Sequence, residues 1–345
     1  MILRRVENLN PGSFALAMAT GIVSIAASLL GMRRVSVVLL WANAVFFAAL
    51  WVLTLARLAA RFPRLLSDLK DHARGPGFFT TVAGTCVLGS QVQIITGRSP
   101  PALALLALGA LLWLALVYSF LTAVIVRETK PPLEAGMHGG WLILVVATQS
   151  VSVLASLLAP RFPRALEALL FTALCLYLVG ALLYIVIVTL IFYRLTFFVL
   201  TPAGLPPVYW VCMGAAAITT LAGSRLMLAA GSWPFLSEIL PFLKGFTLLF
   251  WASATWWIPL LAVLGVWRHI VKRFPLRYET PYWSLVFPLG MYTASTFVLA
   301  QATGLRFLAG ISRCFIWVAF AAWAVTFVGM VLSIARRPAN AAPAR

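Results

Sequence analysis

The sequence predicts an all-α integral membrane protein, in which ten transmembrane helices form five parallel-repeated helical hairpins around a central pore. Three observations lead to this fold class: the composition, ten long apolar segments, and an alternation of polarity between successive segments. Of the 345 residues, 63% are hydrophobic and only 10% are charged, whereas an ordinary soluble domain has about 25% charged residues. A mean hydropathy of +1.00 leaves too little polar surface for a globule in water.

A helix needs about 20 apolar residues to cross a bilayer core, and by that measure the chain contains ten spans. The predicted spans are approximately 12–31, 36–60, 78–97, 102–126, 139–158, 166–193, 208–228, 243–267, 282–304 and 311–334. Arg-Phe-Pro-Arg at 61–64 and 161–164 and Gly-Pro-Gly at 75–77 mark short connections between them. We therefore expect a single membrane domain over 1–345 that ends in a short cytoplasmic tail at 335–345.

The distribution of basic residues predicts the orientation. The net charge is +18, from 26 Lys and Arg against 8 Asp and Glu. With ten spans both termini lie on one side, and most basic residues between the spans, Arg57 among them, fall on that side. The positive-inside rule therefore predicts a multi-pass protein of the cell membrane with both termini cytoplasmic. The bilayer is the expected partner, and nucleic acid is not, because the chain lacks a basic block interleaved with aromatic residues.

Alternate spans differ in polarity. The odd-numbered spans are more than twice as rich in Gly, Ser, Thr, Asn and Gln as the even-numbered ones. Small and hydroxylated residues collect where membrane helices pack closely or line water, so the odd set is predicted to form an inner ring and the even set an outer one. An alternative is that any polytopic protein shows roughly regular hairpin spacing.

Flexible residues recur along the odd spans at intervals of one hairpin. They are Gly21, Gly84, Gly214 and Pro288, with the middle of the fifth span near Thr148. We expect them to be helix breaks that line the pore. Because each repeat contains two spans, successive copies keep the same orientation, which implies an axis along the membrane normal.

The spans lack side chains that several membrane functions require. No Asp, Glu or His lies in the middle of a span, although proton relays and cation-selective rings usually require such groups. The four cysteines lack the paired spacing of metal ligands, and we expect them to be small buried hydrophobic residues: Cys86, Cys175, Cys212 and Cys314. We therefore expect no catalytic residues, no metal and no cofactor, and a protein that is not an enzyme.

Basic residues lie near the outer ends of the later spans. Arg225, Lys244 and Arg313 are predicted to raise the positive potential at the outer mouth and to attract anions. The alternative for each residue is that its side chain extends to the interface as an ordinary anchor. A pore lined by hydroxyls and backbone amides, without a fixed acid, suits small inorganic or organic anions that are held weakly.

The ninth span contains a candidate gate. Pro288 removes a backbone donor and bends a helix, and Phe287 directly precedes it. A bulky ring at such a bend is a candidate hydrophobic gate. The chain has 23 Phe, and most of them are expected to be packed or to face lipid.

The sequence resembles the tellurite-resistance/dicarboxylate transporter family, which includes plant guard-cell slow anion channels and fungal malate and sulfite carriers. Five segments in order carry the resemblance: Ala-Met-Ala-Thr-Gly-Ile-Val-Ser at 17–24, Trp141 to Val146, the segment 206–215 that begins Pro-Pro-Val-Tyr-Trp, the segment 245–259 that begins Gly-Phe-Thr-Leu-Leu-Phe-Trp, and Phe-Pro-Leu-Gly-Met-Tyr-Thr at 287–293. The resemblance spans nearly the whole membrane part of the chain.

The resemblance implies five helical hairpins about a pore, anion permeation, and a homotrimer with one pore per subunit. Relatives have a pore-occluding phenylalanine on the ninth helix, which Phe287 matches. Relatives often have a proline early in the fifth span, where this chain has Leu144, so the fifth kink is in question.

Two functions fit these expectations. The first is a transmembrane anion channel or uniporter with a central pore gated by Phe287. The alternative is a secondary carrier, with or without proton coupling, for four-carbon dicarboxylates, sulfite or tellurite. A membrane enzyme is disfavoured, because no cluster of His, Asp or Cys could perform chemistry.

Overall fold

The computed structural model describes residues 9–336, which fold into ten long helices and contain no strand. The helices are α1 (Ala15–Leu29), α2 (Arg33–Leu69), α3 (Phe79–Thr96), α4 (Ser99–Ile125), α5 (Ile143–Leu158), α6 (Leu166–Phe197), α7 (Val211–Ala229), α8 (Leu240–Val266), α9 (Trp283–Thr303) and α10 (Leu308–Ala335). With the short turns that flank them, all ten are long and apolar enough to cross a membrane. Each helix overlaps one predicted span. The predicted tail lies outside the described residues from 337 onward.

The five odd-numbered helices contact one another in a closed cycle. Helix α1 packs against α3, α3 against α5, α5 against α7, α7 against α9, and α9 against α1. Each even-numbered helix packs on the odd-numbered helix that precedes it. In the most apolar stretch of each span, 78–94% of residues are buried in the odd helices and 17–44% in the even helices. The division into inner and outer helices thus follows the polarity pattern, while a pore along a symmetry axis stays a prediction.

Each odd helix begins with a 3-10 turn. The five turns are Pro11–Phe14, Gly75–Phe78, Gly139–Leu142, Pro207–Trp210 and Thr280–Tyr282. Proline is tolerated in such a first turn, because its missing N–H would have no partner within the helix. The turns recur once per hairpin at the same end of the ring.

Tryptophans of the outer helices donate hydrogen bonds to threonines of the next inner helix. Nε1 of Trp113 in α4 donates to Oγ1 of Thr148 in α5 over 2.8 Å, and Trp251 in α8 donates to Thr296 in α9 over 3.0 Å. Polar groups inside a bilayer need partners within the protein. These bonds therefore tie neighbouring hairpins together.

Helix α2 is kinked within the predicted connection at 61–64. The helix continues to Leu69 and bends at Arg61, whose φ of −146° and ψ of 44° are non-helical. Pro63 lies just beyond this bend, and its ring is incompatible with a straight helix. Arg57 is buried inside α2 and forms an ion pair with Asp68, although the sequence predicted it to lie in a connection.

The burial of the cysteines depends on whether they belong to an inner or an outer helix. Cys86 and Cys212 in the inner helices are buried, as expected. Cys175 in α6 and Cys314 in α10 are exposed, so the prediction of four buried cysteines is wrong for these two. They lie on outer helices, whose outward faces are available to lipid.

Candidate functional site

Helices α7 and α9 approach closely at Gly214 and Pro288. A Cβ atom on Gly214 would lie 2.7 Å from Cγ of Pro288 and 3.1 Å from its Cβ. Two helix backbones can come this close because glycine has no side chain. The two residues that the sequence singled out on different spans are thus brought into direct contact.

The opposite face of the same turn of α9 packs against α1. A Cβ atom on Gly290 would lie 3.0 Å from Cγ2 of Ile22 and 3.0 Å from Cγ2 of Val23. Helix α9 is therefore wedged between α7 on one side and α1 on the other, and its rotation is fixed by both contacts.

This rotation determines where Phe287 points. At about 100° per residue, Phe287 lies between the face that holds Pro288 and the face that holds Gly290. It is nine residues, or about 180°, from Thr296, which is bonded to Trp251 of the outer helix α8. Phe287 thus lies on the face of α9 opposite Thr296 and its contact with α8, and it is only 1% exposed.

The four predicted helix breaks lie within continuous helices. Helices α1, α3, α7 and α9 run without interruption through Gly21, Gly84, Gly214 and Pro288. A Cβ atom on Gly21 would lie 2.6 Å from Cγ1 of Val87 in α3. The backbone breaks expected at these four positions are therefore not found, and Gly21 and Gly214 instead allow neighbouring helices to pack closely. Their role in lining a pore stays a prediction.

Helix α5 is likewise continuous through Leu144 and Thr148. The hydroxyl of Thr148 donates to the carbonyl of Leu144 and accepts from Trp113. No break occurs at the middle of the fifth span, where the sequence suggested one.

The hydroxyl protons of the inner helices are mostly used within the helices. Oγ1 of Thr85, Thr219 and Thr293 each donates to the carbonyl four residues earlier, at 2.7, 2.8 and 2.9 Å. Such back-bonding occupies the donor that an anion would need. Any anion among these helices would therefore be held weakly.

The three predicted anion-attracting residues lie in different layers. Arg225 belongs to inner helix α7, eleven residues after Gly214 and so on nearly the same face, about 20° away. Its Nε is buried and has no hydrogen-bond partner in the described part of the chain. Lys244 in α8 and Arg313 in α10 are exposed on outer helices. Only Arg225 is therefore part of the ring.

Carboxylates are absent from the odd helices and their flanking turns within residues 9–336. Asp68 is buried at the end of outer helix α2, where it pairs with Arg57 and, at 2.9 Å, with Arg74. No group of three or more His, Cys, Asp or Glu that could hold a metal ion occurs in the described region. The inner ring is thus without negative side chains.

Hydrogen bonds of His138 stabilise the turn that precedes α5. Its Nδ1 accepts the N–H of Gly140 at 3.0 Å, which leaves Nε2 to donate to the carbonyl of Ala73 at 3.1 Å. Burial lowers the pKa of His138, and the nearby Arg194 lowers it further. The neutral imidazole joins the turn before α5 to the connection before α3.

Ten apolar helices in two layers define a multi-pass membrane protein. The chain belongs to the voltage-dependent anion channel family, whose family model matches residues 8–331. This membership confirms the resemblance inferred from the sequence segments. The protein is accordingly an anion transporter or channel in the general sense.

Individual relatives agree with this assignment. The chain is 26% identical to an uncharacterised transporter of Methanocaldococcus jannaschii over 336 aligned residues. The alignment covers 94% of this chain and 92% of the relative. A second uncharacterised transporter of that organism is 25% identical, with 94% of each chain covered. An uncharacterised membrane protein of Mycobacterium tuberculosis is 42% identical over 153 residues, which is 44% of this chain and 77% of the relative.

Some residues of the site were not found by sequence reasoning. Gly290, His138 and the tryptophan–threonine bonds came only from the structure. Trp113 and Trp251 do occur at similar places in their spans, each followed by a threonine in the next span. That recurrence is the signal that could have found the bonds.

Proposed function

We propose that this protein is a passive anion channel or uniporter, and not an enzyme. Small inorganic or organic anions cross between the five odd helices, and the ring of Phe287 closes the pathway. The observation that supports the proposal is the buried position of Phe287 on the face of α9 opposite Thr296 and outer helix α8. That face is set by Pro288 against Gly214 on one side and by Gly290 against α1 on the other.

The charges of the inner ring support anions over cations. The odd helices have no carboxylate between 9 and 336, and Arg225 contributes a half-buried positive charge near the outer end of α7. A cation in this environment would meet no compensating charge, whereas an anion would be attracted. Because the threonine hydroxyls donate to their own helices, the anion is bound weakly and leaves quickly.

We further propose the cell membrane as the location, cytoplasmic termini, and a homotrimer with one pore per subunit. The surplus of basic residues on the side of the termini supports the orientation. The exposed apolar side chains of the outer helices, such as Trp41 and Trp317, support contact with lipid or with a second subunit. Native mass spectrometry of the purified protein tests the trimer.

Reconstituted liposomes test the function. A passive pore passes chloride or nitrate at a rate that follows the membrane potential and that an imposed pH gradient does not alter. Saturable uptake of malate or sulfite that disappears when the proton gradient is dissipated would instead assign the protein to the carriers of four-carbon dicarboxylates, sulfite or tellurite.

The Phe287→Ala variant tests the gate. Removing the ring opens a dewetted constriction, and we expect anion flux to rise about tenfold, equivalent to ~1.4 kcal/mol of barrier. Phe297→Ala is the matched control, because Phe297 lies on the same helix but lines a surface cavity with Gln301 and Arg306. Equal flux in the two folded variants would remove Phe287 from the mechanism.

A further inference from the structure

A cleft lies outside the inner ring, between the end of outer helix α8 and the beginnings of α7 and α9. Its volume is about 210 Å³. Its walls are largely apolar: Leu205, Pro206, Trp210, Leu261, Leu264 and Leu285. Gly265 also lines the cleft, and a Cβ atom placed on it would meet no atom within 4 Å. The cleft therefore has room for a hydrocarbon chain alongside α8.

One buried cation lines this cleft. Arg268 is only 5% exposed, and its Nε has no hydrogen-bond partner among the described residues. Its guanidinium lies over the ring of Phe274, with Cζ 4.4 Å from the ring centroid. A buried charge without an anionic partner is costly, and a ring face compensates it only in part. The arginine thus has unused capacity for an anion.

The surroundings of Arg268 are basic. Lys272, Arg273 and Arg277 follow it and are exposed, while Glu279 is the only acid between 261 and 285 and is also exposed. Arg268 lies in the π-helical turn Trp267–Val271 that ends α8, and π-turns occur frequently at functional sites. The local field therefore favours a negatively charged group.

The position along the membrane normal selects the kind of anion. Ile270 and Leu276 beside the cleft are 69% and 71% exposed, as expected for side chains covered by lipid, whereas the neighbouring basic residues need a polar environment. The cleft thus spans the boundary between hydrocarbon and headgroups. A ligand that matches both parts has an acyl chain and a negative headgroup.

We propose that the cleft binds an acidic phospholipid from the leaflet on the side of the chain termini. Its phosphate accepts hydrogen bonds from the guanidinium of Arg268, and one acyl chain lies against Leu261 and Leu264. Arginine suits this contact because its planar guanidinium can donate two parallel hydrogen bonds to phosphate oxygens. The lipid would hold the end of α8 against α7 and α9.

Native mass spectrometry with added lipid tests the proposal independently of transport. The wild-type protein in neutral detergent is titrated with phosphatidylglycerol, with phosphatidylcholine, and with soluble glycerol phosphate. We expect one phosphatidylglycerol to bind at least about tenfold more tightly than phosphatidylcholine, as a charge-assisted contact allows. Glycerol phosphate should not displace the lipid. Displacement at equal concentration would overturn the proposal in favour of a soluble anion.

Two variants examine the two halves of the ligand. Arg268→Gln removes the charge and Gly265→Leu fills the cleft, and each should weaken phosphatidylglycerol binding about tenfold. Gly245→Leu is the matched control for the second, since Gly245 lies on the same helix with open space around it. Arg306→Gln, at an exposed arginine, is the control for charge. Unchanged binding in Gly265→Leu would overturn the proposal even if Arg268→Gln failed to fold.

Discussion

Nε1 of Trp323 in α10 donates a hydrogen bond to Oγ1 of Thr20 in α1 over 3.0 Å. The two residues lie 303 positions apart, in the last and the first of the ten helices. The bond repeats the outer-to-inner contacts of Trp113 and Trp251, and it joins the last helix to the first. Together with the contact between α9 and α1, it closes the ring.

The first prediction concerns this bond. In a double-mutant cycle, Trp323→Phe and Thr20→Val should show a coupling of about 0.6 kcal/mol, and at most ~1.7 kcal/mol, as interhelical hydrogen bonds in membranes do. Unfolding in mixed micelles of increasing denaturing detergent measures it. Trp317→Phe, on an exposed position of the same helix, should change stability little. Purely additive effects of the two substitutions would contradict the prediction.

The second prediction concerns the contact of α7 with α9. Gly214→Ala places a methyl group 2.7 Å from Cγ of Pro288, and a rigid proline ring cannot move aside within a continuous helix. We expect a loss of about 1–3 kcal/mol of stability. Gly245→Ala adds the same methyl group in open space, and it should stabilise the helix by up to about 1 kcal/mol. If the two variants melt alike, packing at Gly214 does not limit stability.

The third prediction concerns pH. Burial lowers the pKa of His138 below its ordinary value of about 6.5, so the unfolded chain takes up this proton at a higher pH than the folded protein. The contribution of the neutral imidazole to stability is therefore complete above about pH 6.5 and declines as the pH falls through the window below it. The melting temperature should fall accordingly between pH 7.5 and 5.

His138→Asn separates this effect from other titrations. Asparagine retains an oxygen that accepts the N–H of Gly140 but does not titrate. His72, whose pKa is also lowered by burial, remains in both proteins. The variant should thus lose less stability on acidification than the wild type, and parallel pH profiles would show that His138 is not responsible.

The fourth prediction rests on the proposed anion pathway. Arg225→Gln should lower anion flux, with the largest loss at low ionic strength, where screening is weakest. Lys244→Gln removes the same charge from an exposed position on outer helix α8 and should have a smaller effect. Flux through liposomes at two salt concentrations measures both. A loss that is the same at every ionic strength would indicate a structural role for Arg225 instead.

The sequence predicted correctly those features that depend on the summed composition of one segment. Apolar runs of about 20 residues located the helices, because membrane insertion depends on the summed hydropathy of each segment. The break predicted at 61–64 is present as a kink at Arg61, beside Pro63, because proline disrupts a helix wherever it occurs in the chain. Arg57 was assigned to a connection by its charge alone, whereas the structure places it inside α2 and pairs it with Asp68.

The sequence by itself determined that the chain is a bundle of ten membrane helices, that alternate helices are inner and outer, and that the inner ones carry no acid. Each of these properties depends on composition along one segment. Tertiary structure alone decided that Gly214 meets Pro288, that Trp323 meets Thr20, and that Phe287 is buried on the face of α9 opposite Thr296. Those facts depend on how each helix is rotated against its neighbours, and that rotation is set by close contacts between residues far apart in the chain.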